Sequence, residues 1–322
     1  MTKNNEVYNY RTAVDDNNKE LPIIKSNKTN TSLSLMSKAV NKVKDDNFLN
    51  TDTIGVIVDK NDTTVLLTVI NKIADEPISP FDLSVHNTVC TLYNENNTHF
   101  TAKMIAQKLI GKSTKPSKNL IRDVELSLYK MGKTYIGIDH EEQYNSWNKE
   151  AGNDEEVETN IKMRYMLQLD IDLKIKLNNN VTSAFRLNRT PPLLEYTKVY
   201  RQLASTKDEL IDTSGYLTHN SETIAIKEYL KNRIEVFESM RSRNKKFNTT
   251  DISYKKLYEE LKKGYLIQPG ERSENRKKLL NHVTNILEAF KHNGWIKSYS
   301  HSGNTISGKV TIGKILHDDK YI

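Results

Sequence analysis

One succession of segments occurs twice in this chain. From Pro80 to Asp139, and again from Glu222 to Gly313, a long amphipathic stretch is followed by a short one, a turn, a second long stretch and a β-rich end. In the first pass, Leu83, Val85, Val89 and Leu92 form an apolar stripe behind Pro80, a residue suited to a helix start. Residues 94–99 end that helix, and a short one runs from a Thr101 cap to Gly111. A third helix is expected from Ser117 to Met131, with Leu120, Ile121, Val124, Leu128 and Met131 on one face of a 3.6-residue period. Residues 134–139 then read as a strand. In the second pass a helix spans Glu222 to Arg243, and Asp251 caps a short helix ending at Gly264. Ser273 caps a third that reaches Asn293, with Leu279, Leu280, Val283, Ile286, Leu287 and Phe290 on one face. Gly294 stops it, and residues 295–300 pair with 305–313 across His301-Ser302-Gly303-Asn304.

Helix, short helix, turn, long helix and hairpin make a winged helix-turn-helix, and a repeated order constrains the fold more than one copy does. The sequence therefore predicts an α+β chain of two such domains in tandem, preceded by a disordered tail. Residues 1–50 are read as the tail, because Asn, Lys, Thr, Asp and Ser dominate and little apolar surface can offset the entropy of ordering. A short helix within it, Leu33 to Val43, has the look of a docking segment. The N-terminal domain is 51–205. It opens with a hairpin, residues 53–58 against 65–70, and carries at 139–158 an exposed insertion with eight carboxylates against one lysine. Strands at 163–177 and 181–187 follow, then a helix from Pro191-Pro192 to about Ala204. The polar stretch 205–220 reads as a linker, and 206–322 as the C-terminal domain.

Composition narrows the classes further. A length of 322 residues fits two domains better than one core, and an apolar fraction of 36% beside 28% charge suits a chain that does not pack throughout. No run approaches 18 apolar residues and the first residues lack an apolar segment, so a membrane span and a secretory signal are not expected. The single cysteine, Cys90, excludes an internal disulfide and multi-cysteine metal sites. A cytoplasmic protein without membrane contact is the expectation.

The formal net charge is +7, and it is not spread evenly. Residues 102–133 hold eight basic side chains against two acidic ones. The third helix of the first copy turns Lys118, Asn119, Arg122 and Tyr129 away from its apolar stripe, with Lys115 in the approach loop. Basic groups supply sequence-independent attraction to duplex phosphates, and Asn and Arg can make bidentate contacts to adenine and guanine edges. In the second copy the outward face carries Lys277, Lys278, Asn281, Asn285 and Glu288, with Arg272 and Arg276 at the helix start. Cations there oppose the helix dipole, so their placement makes sense where phosphate arrives at that end. Lys297, His301, Asn304 and Lys309 mark the hairpin as a strand pair suited to a backbone or minor groove. The alternatives are a merely solvated helix face and an ordinary exposed hairpin.

Sharper motifs fail on inspection. Gly111-Lys112-Ser113-Thr114 resembles the end of a phosphate-binding loop, but Ala106 stands where its first glycine belongs, and a helix precedes it instead of a strand. Asp170 and Asp172 share one solvent face of a strand, which explains them without a metal. No His-x-His pair occurs, the metal-ligand arrangement of rolling-circle relaxases, so the sixteen tyrosines do not argue for a tyrosine nucleophile. No catalytic residue, metal ligand or cofactor is assigned, and the chain is not expected to be an enzyme. Arg233 falls on the apolar side of its helix. It is either a buried cation meeting carboxylate or carbonyl partners, or a rim arginine whose stem covers apolar surface.

Over residues 53–313 this arrangement resembles the replication initiators of theta-type plasmids, which join two winged-helix domains by a linker. The resemblance rests on element order, the helix that closes the first domain and the two basic third helices. It implies binding of double-stranded DNA at repeated origin sites, mostly through the C-terminal domain, with the N-terminal one dimerising and taking part in autorepression. The acidic insertion departs from the usual first-domain wing. High Asn and Lys usage points to an AT-rich genome and AT-rich sites, and host replication proteins are implied partners. A transcriptional regulator with the same two modules and a winged-helix scaffold for protein partners are the other readings; fold alone does not choose among them.

Overall fold

The computed structural model describes residues 78–111, 114–150, 152, 163–177, 180–200, 202–243 and 250–313, with strand segments at 7–8, 28–32, 51–57 and 64–71. The expected docking helix at Leu33 to Val43 lies outside the described residues, as does most of the expected tail.

The first unit is built on three helices, α1 (Pro80–Asn94), α2 (Ala102–Ile110) and α3 (Lys118–Met131). Each begins where its sequence says it should. Ser79 and Asp82 form a reciprocal capping box around Pro80, Thr101 accepts from the Met104 amide, and Ser117 accepts from the Leu120 amide. Gly111 ends α2 at a φ of 103°, a conformation that favours glycine. The apolar stripes of these helices, among them Val85, Val89, Ile105, Leu120, Val124 and Leu128, are buried.

Two sheets surround them. In chain order the strands are β1 (Val7–Tyr8), β2 (Lys28–Ser32), β3 (Thr51–Ile57), β4 (Thr64–Asn71), β5 (His99–Phe100), β6 (Thr134–Asp139), β7 (Arg164–Tyr165), β8 (Leu169–Leu177) and β9 (Asn180–Leu187). One sheet runs β3-β4-β6-β7, and the other β1-β8-β9-β5. The expected hairpin is present, with Ile57 opposite Thr64, and β4 continues antiparallel onto β6. The single strand expected over 163–177 is two strands in different sheets, broken by a bend at Met166-Leu167, whose side chains are buried. The acidic insertion is no bare loop, for it holds helix α4 (Glu141–Glu150). Gln143 and Asn148 are buried, and Tyr196 donates to Gln143 Oε1 at 2.7 Å.

Helix α5 (Pro192–Val199) ends earlier than expected, because Leu203–Lys207 forms β10 and pairs antiparallel with β2. The expected linker is structured as well. A 3₁₀ turn at Asp208–Ile211 follows β10, and Ile211 and Thr213 are buried.

The second unit consists of α6 (Ser221–Arg243), β11 (Asp251–Ser253), α7 (Tyr254–Glu260), a 3₁₀ turn at Gly264–Ile267, α8 (Ser273–His292), β12 (Tyr299–Ser302) and β13 (Lys309–Ile312). Its sheet runs β11-β13-β12. Asp251 is therefore a strand residue and Ser253 caps α7 instead. Arg272 occupies the cap position of α8 without a side-chain bond, and Ser273 is already helical. Trp295 and Ile296, read as strand, are fully buried before β12 begins; Trp295 stands edge-on to Phe290 at 4.8 Å. Arg233 is half-buried with its guanidinium 4.9 Å from the centre of the Phe237 ring, the rim arrangement of the two weighed. The fold is thus α+β with two winged-helix units in tandem. Their buried apolar residues form one continuous cluster.

Candidate nucleic-acid interface

The outward face of α8 is polar and open. Lys277, Asn281 and Asn285 follow one another at spacings of four, so they stand in a row along the helix, and Lys278 adjoins them. All four are exposed, as are Arg272 ahead of them and Lys297 behind the helix. The apolar side of α8, from Leu279 through Val283, Ile286 and Leu287 to Phe290, is buried, which fixes the row outward.

Arg276 does not belong to that face. It is 8% exposed, and its Nη1 donates to Leu266 O at 2.7 Å and Glu271 O at 3.3 Å, while Nε reaches Thr305 Oγ1 at 3.3 Å. The guanidinium ties the turn before α8 to the hairpin tip, so the expectation of a phosphate contact is corrected to an internal brace. Glu288 is likewise occupied, accepting from the Tyr299 hydroxyl at 2.6 Å; burial, with that carboxylate beside it, raises the hydroxyl's pKa.

Three more hairpin residues predicted as contacts have internal work. His301 joins two helices to β12: the Tyr254 hydroxyl oxygen lies 2.7 Å from Nδ1 and Thr284 Oγ1 lies 3.1 Å from Nε2. Thr284 spends its own hydrogen on Leu280 O at 3.0 Å, so the imidazole donates from Nε2. Burial lowers the His301 pKa. Asn304 Oδ1 accepts from the Ile306 and Ser307 amides at 2.9 and 2.8 Å and shapes the tip. Lys309 pairs with Asp251, whose carboxyl is held below its usual range by hydrogen bonds from Lys309 and Thr311. All three remain exposed at the surface.

On the first unit, Lys115, Lys118, Asn119 and Arg122 are exposed together along α3 and its approach. Tyr129 is not part of this face; it is half-buried, edge-on to Phe185 at 5.7 Å. Leu126, 57% exposed, stands on α3 outside the apolar stripe read from its helical period. Two cations were missed. Lys255 and Lys256 are exposed on the first turn of α7, where positive charge does not serve the helix itself. That is the signal already used for Arg272, and it applies to the second helix as well as the third.

The wing of the first unit differs in kind. Tyr135 of β6 and Tyr165 of β7 meet across the pair with ring centres 4.1 Å apart and planes tilted by 36°, while His140, at the start of the insertion, meets the Tyr200 hydroxyl at 2.8 Å. The insertion is anchored to α5 and its end.

No family model matches the chain, and no curated protein does. Among solved structures it is similar to one described as selenomethionine derivatives of domains 2 and 3 of RctB, with a TM-score of 0.43 and 11% identity over 88% of this chain and 98% of that one. The winged-helix assignment stands on element order and strand pairing, not on that likeness.

Proposed function

We propose that the chain is a sequence-specific double-stranded DNA-binding protein that acts by binding and not by catalysis, and that it initiates replication of a plasmid or mobile element from repeated, AT-rich origin sites. The observation that carries the DNA reading is the α8 row: Lys277, Lys278, Asn281 and Asn285 exposed on a helix whose opposite side is locked in the core. Amide side chains read base edges and lysines neutralise phosphate, so the row combines both kinds of contact. The braced hairpin beside it, with Lys297 exposed at its base, suits the flanking backbone. The step from DNA binding to replication rests on the resemblance in domain order to plasmid initiators. The cytoplasm is the proposed location, with host replication proteins and a second copy of the chain as partners.

Selection from a random-sequence duplex library tests the DNA reading. Enrichment of a discrete sequence, lost when Asn281 and Asn285 are replaced by Ala, supports it. Failure to enrich any sequence removes it. Direct repeats of the selected sequence beside the gene then favour an initiator over a transcriptional regulator.

A further inference from the structure

The helix that leads into α3 and the end of α8 are both tied to one short piece of chain. Residues 208–214 close the C-terminal end of α2, the helix that leads into α3. Asp208 pairs with Lys108 at 2.8 Å, and Ser214 Oγ donates to Ile110 O at 3.4 Å. The Asp212 carboxylate lies so near Gly111 that any Cβ there would collide with it. From α6, Lys227 Nζ donates to Leu109 O at 2.9 Å. The last carbonyls of a helix need partners from outside its own ladder, and here the connector supplies one and the second unit another to a helix of the first. At the other end of the same connector, Asn293, the C-cap residue of α8, donates Nδ2 to Asp212 O at 2.7 Å and Leu210 O at 3.4 Å.

Two further observations agree. Helices α1 and α6 pack together, with Asn87 Nδ2 donating to Glu228 Oε1 at 2.9 Å. A groove of about 390 Å³ is lined by Leu126 and Lys130 of α3, and by Leu261, Lys263 and Leu279 of the second unit, so α3 and α8 border one space. Lys227 itself is 7% exposed. A buried ammonium is costly, and an apolar side chain of similar size would fill the site without that cost. What the ammonium adds is a contact aimed at one carbonyl, which fixes register.

We propose that Lys227, bonded to the end of α2, and Asn293, bonded to the connector 208–214, are positioning residues that set the distance and helical phase between α3 and α8. The chain would then take a bipartite duplex of one spacing. This rests on the DNA reading above. Each added base pair moves the second contact by about 3.4 Å and turns it by about 34°. A clamped pair cannot follow such a change, whereas a flexibly tethered pair can.

The test uses the full chain and a random-sequence duplex library, followed by the selected duplex remade with one, three and five base pairs inserted between its contacted blocks. The native chain is expected to enrich two blocks at a single separation and to lose roughly tenfold or more in affinity on the longest insertion. Lys227→Met and Asn293→Ala, examined separately so that one folded variant suffices, should enrich both blocks at several separations and lose only about threefold or less. A general loss of stability lowers binding to every duplex alike and does not broaden spacing. Native tolerance of the longest insertion, enrichment of one block alone, or an unchanged single separation in the folded variants would overturn the proposal. Enrichment of no sequence at all would instead remove the DNA reading beneath it.

Discussion

The two units run their helices in the same order but close their sheets at very different distances along the chain. In the second, β11 pairs with β13, and between β12 and β13 lie only residues 303–308. In the first, the strand at the matching place, β5, pairs with β9, with Phe100 opposite Phe185. Between β6 and β9 the chain makes helix α4 and strands β7 and β8 before it returns. The short wing is braced against its own helices by Arg276, Tyr258, Tyr254 and His301. The long excursion is instead anchored to α5 and its end, through Tyr196 and Tyr200. One plan has thus been used for two purposes. The second unit holds its polar helix and hairpin as one preorganised surface, whereas the first has turned its wing into packing.

The largest effect should come from the shared core. Trp295→Ala removes a fully buried indole, at a cost of about 3–5 kcal/mol. Because the apolar clusters of the units are continuous, denaturant should unfold both together, in one transition at lower midpoint. Two separated transitions, only one of them shifted, would show that the units are independent.

Next come the polar helices. Asn281→Ala should cost on the order of 1–3 kcal/mol on the selected duplex and relax its sequence preference. Asn119→Ala on α3 should cost less, because the first unit lacks the short braced wing. Competition binding with specific and scrambled duplexes measures both, and a larger loss at Asn119 would reverse the assignment of roles.

A pH effect marks the clamp between the units. Burial, followed by the neighbouring Lys231, holds the pKa of the Lys227 ammonium down to about 8, against the 10.5 usual for a lysine. Between those values the unfolded chain binds more protons than the folded one, so this residue makes stability rise with pH from 8 towards 10. Below pH 8 its desolvation penalty is fully present. Urea midpoints across this range should show the rise in the native chain and a smaller one in Lys227→Met.

The smallest effect belongs to the surface. Arg164 and Glu195 meet at 2.6 Å, but their side chains are 37% and 50% exposed. Glu195→Gln should shift stability by less than about 1 kcal/mol, checked by the same urea titration.

The helices of this fold were legible because their signals are local. Ser79-Pro80 with Asp82, Thr101, Gly111 and Ser117 sit beside the backbone groups they cap. The sheets were less so, since the partner of a strand is chosen far away. Residues 203–207 read as a helix end and polar linker until β2 is known to lie beside them. Asp251 has the chemistry of a cap, yet its carboxylate is engaged by Lys309 and Thr311, some sixty residues on. Within the candidate interface, the outward row of α8 followed from helical period alone. Arg276 lies near that row in sequence, and only the folded turn, with Leu266 and Glu271 carbonyls pointing at it, reveals it as a brace.

The most direct measurement is the salt dependence of duplex binding by the full chain, native beside Lys277→Ala/Lys278→Ala. If the α8 row lies on phosphate, log affinity falls linearly with log salt, and the double variant reduces the slope by about two, close to one per lysine. A flat dependence in the native chain, or an identical slope in the variant, would contradict the account.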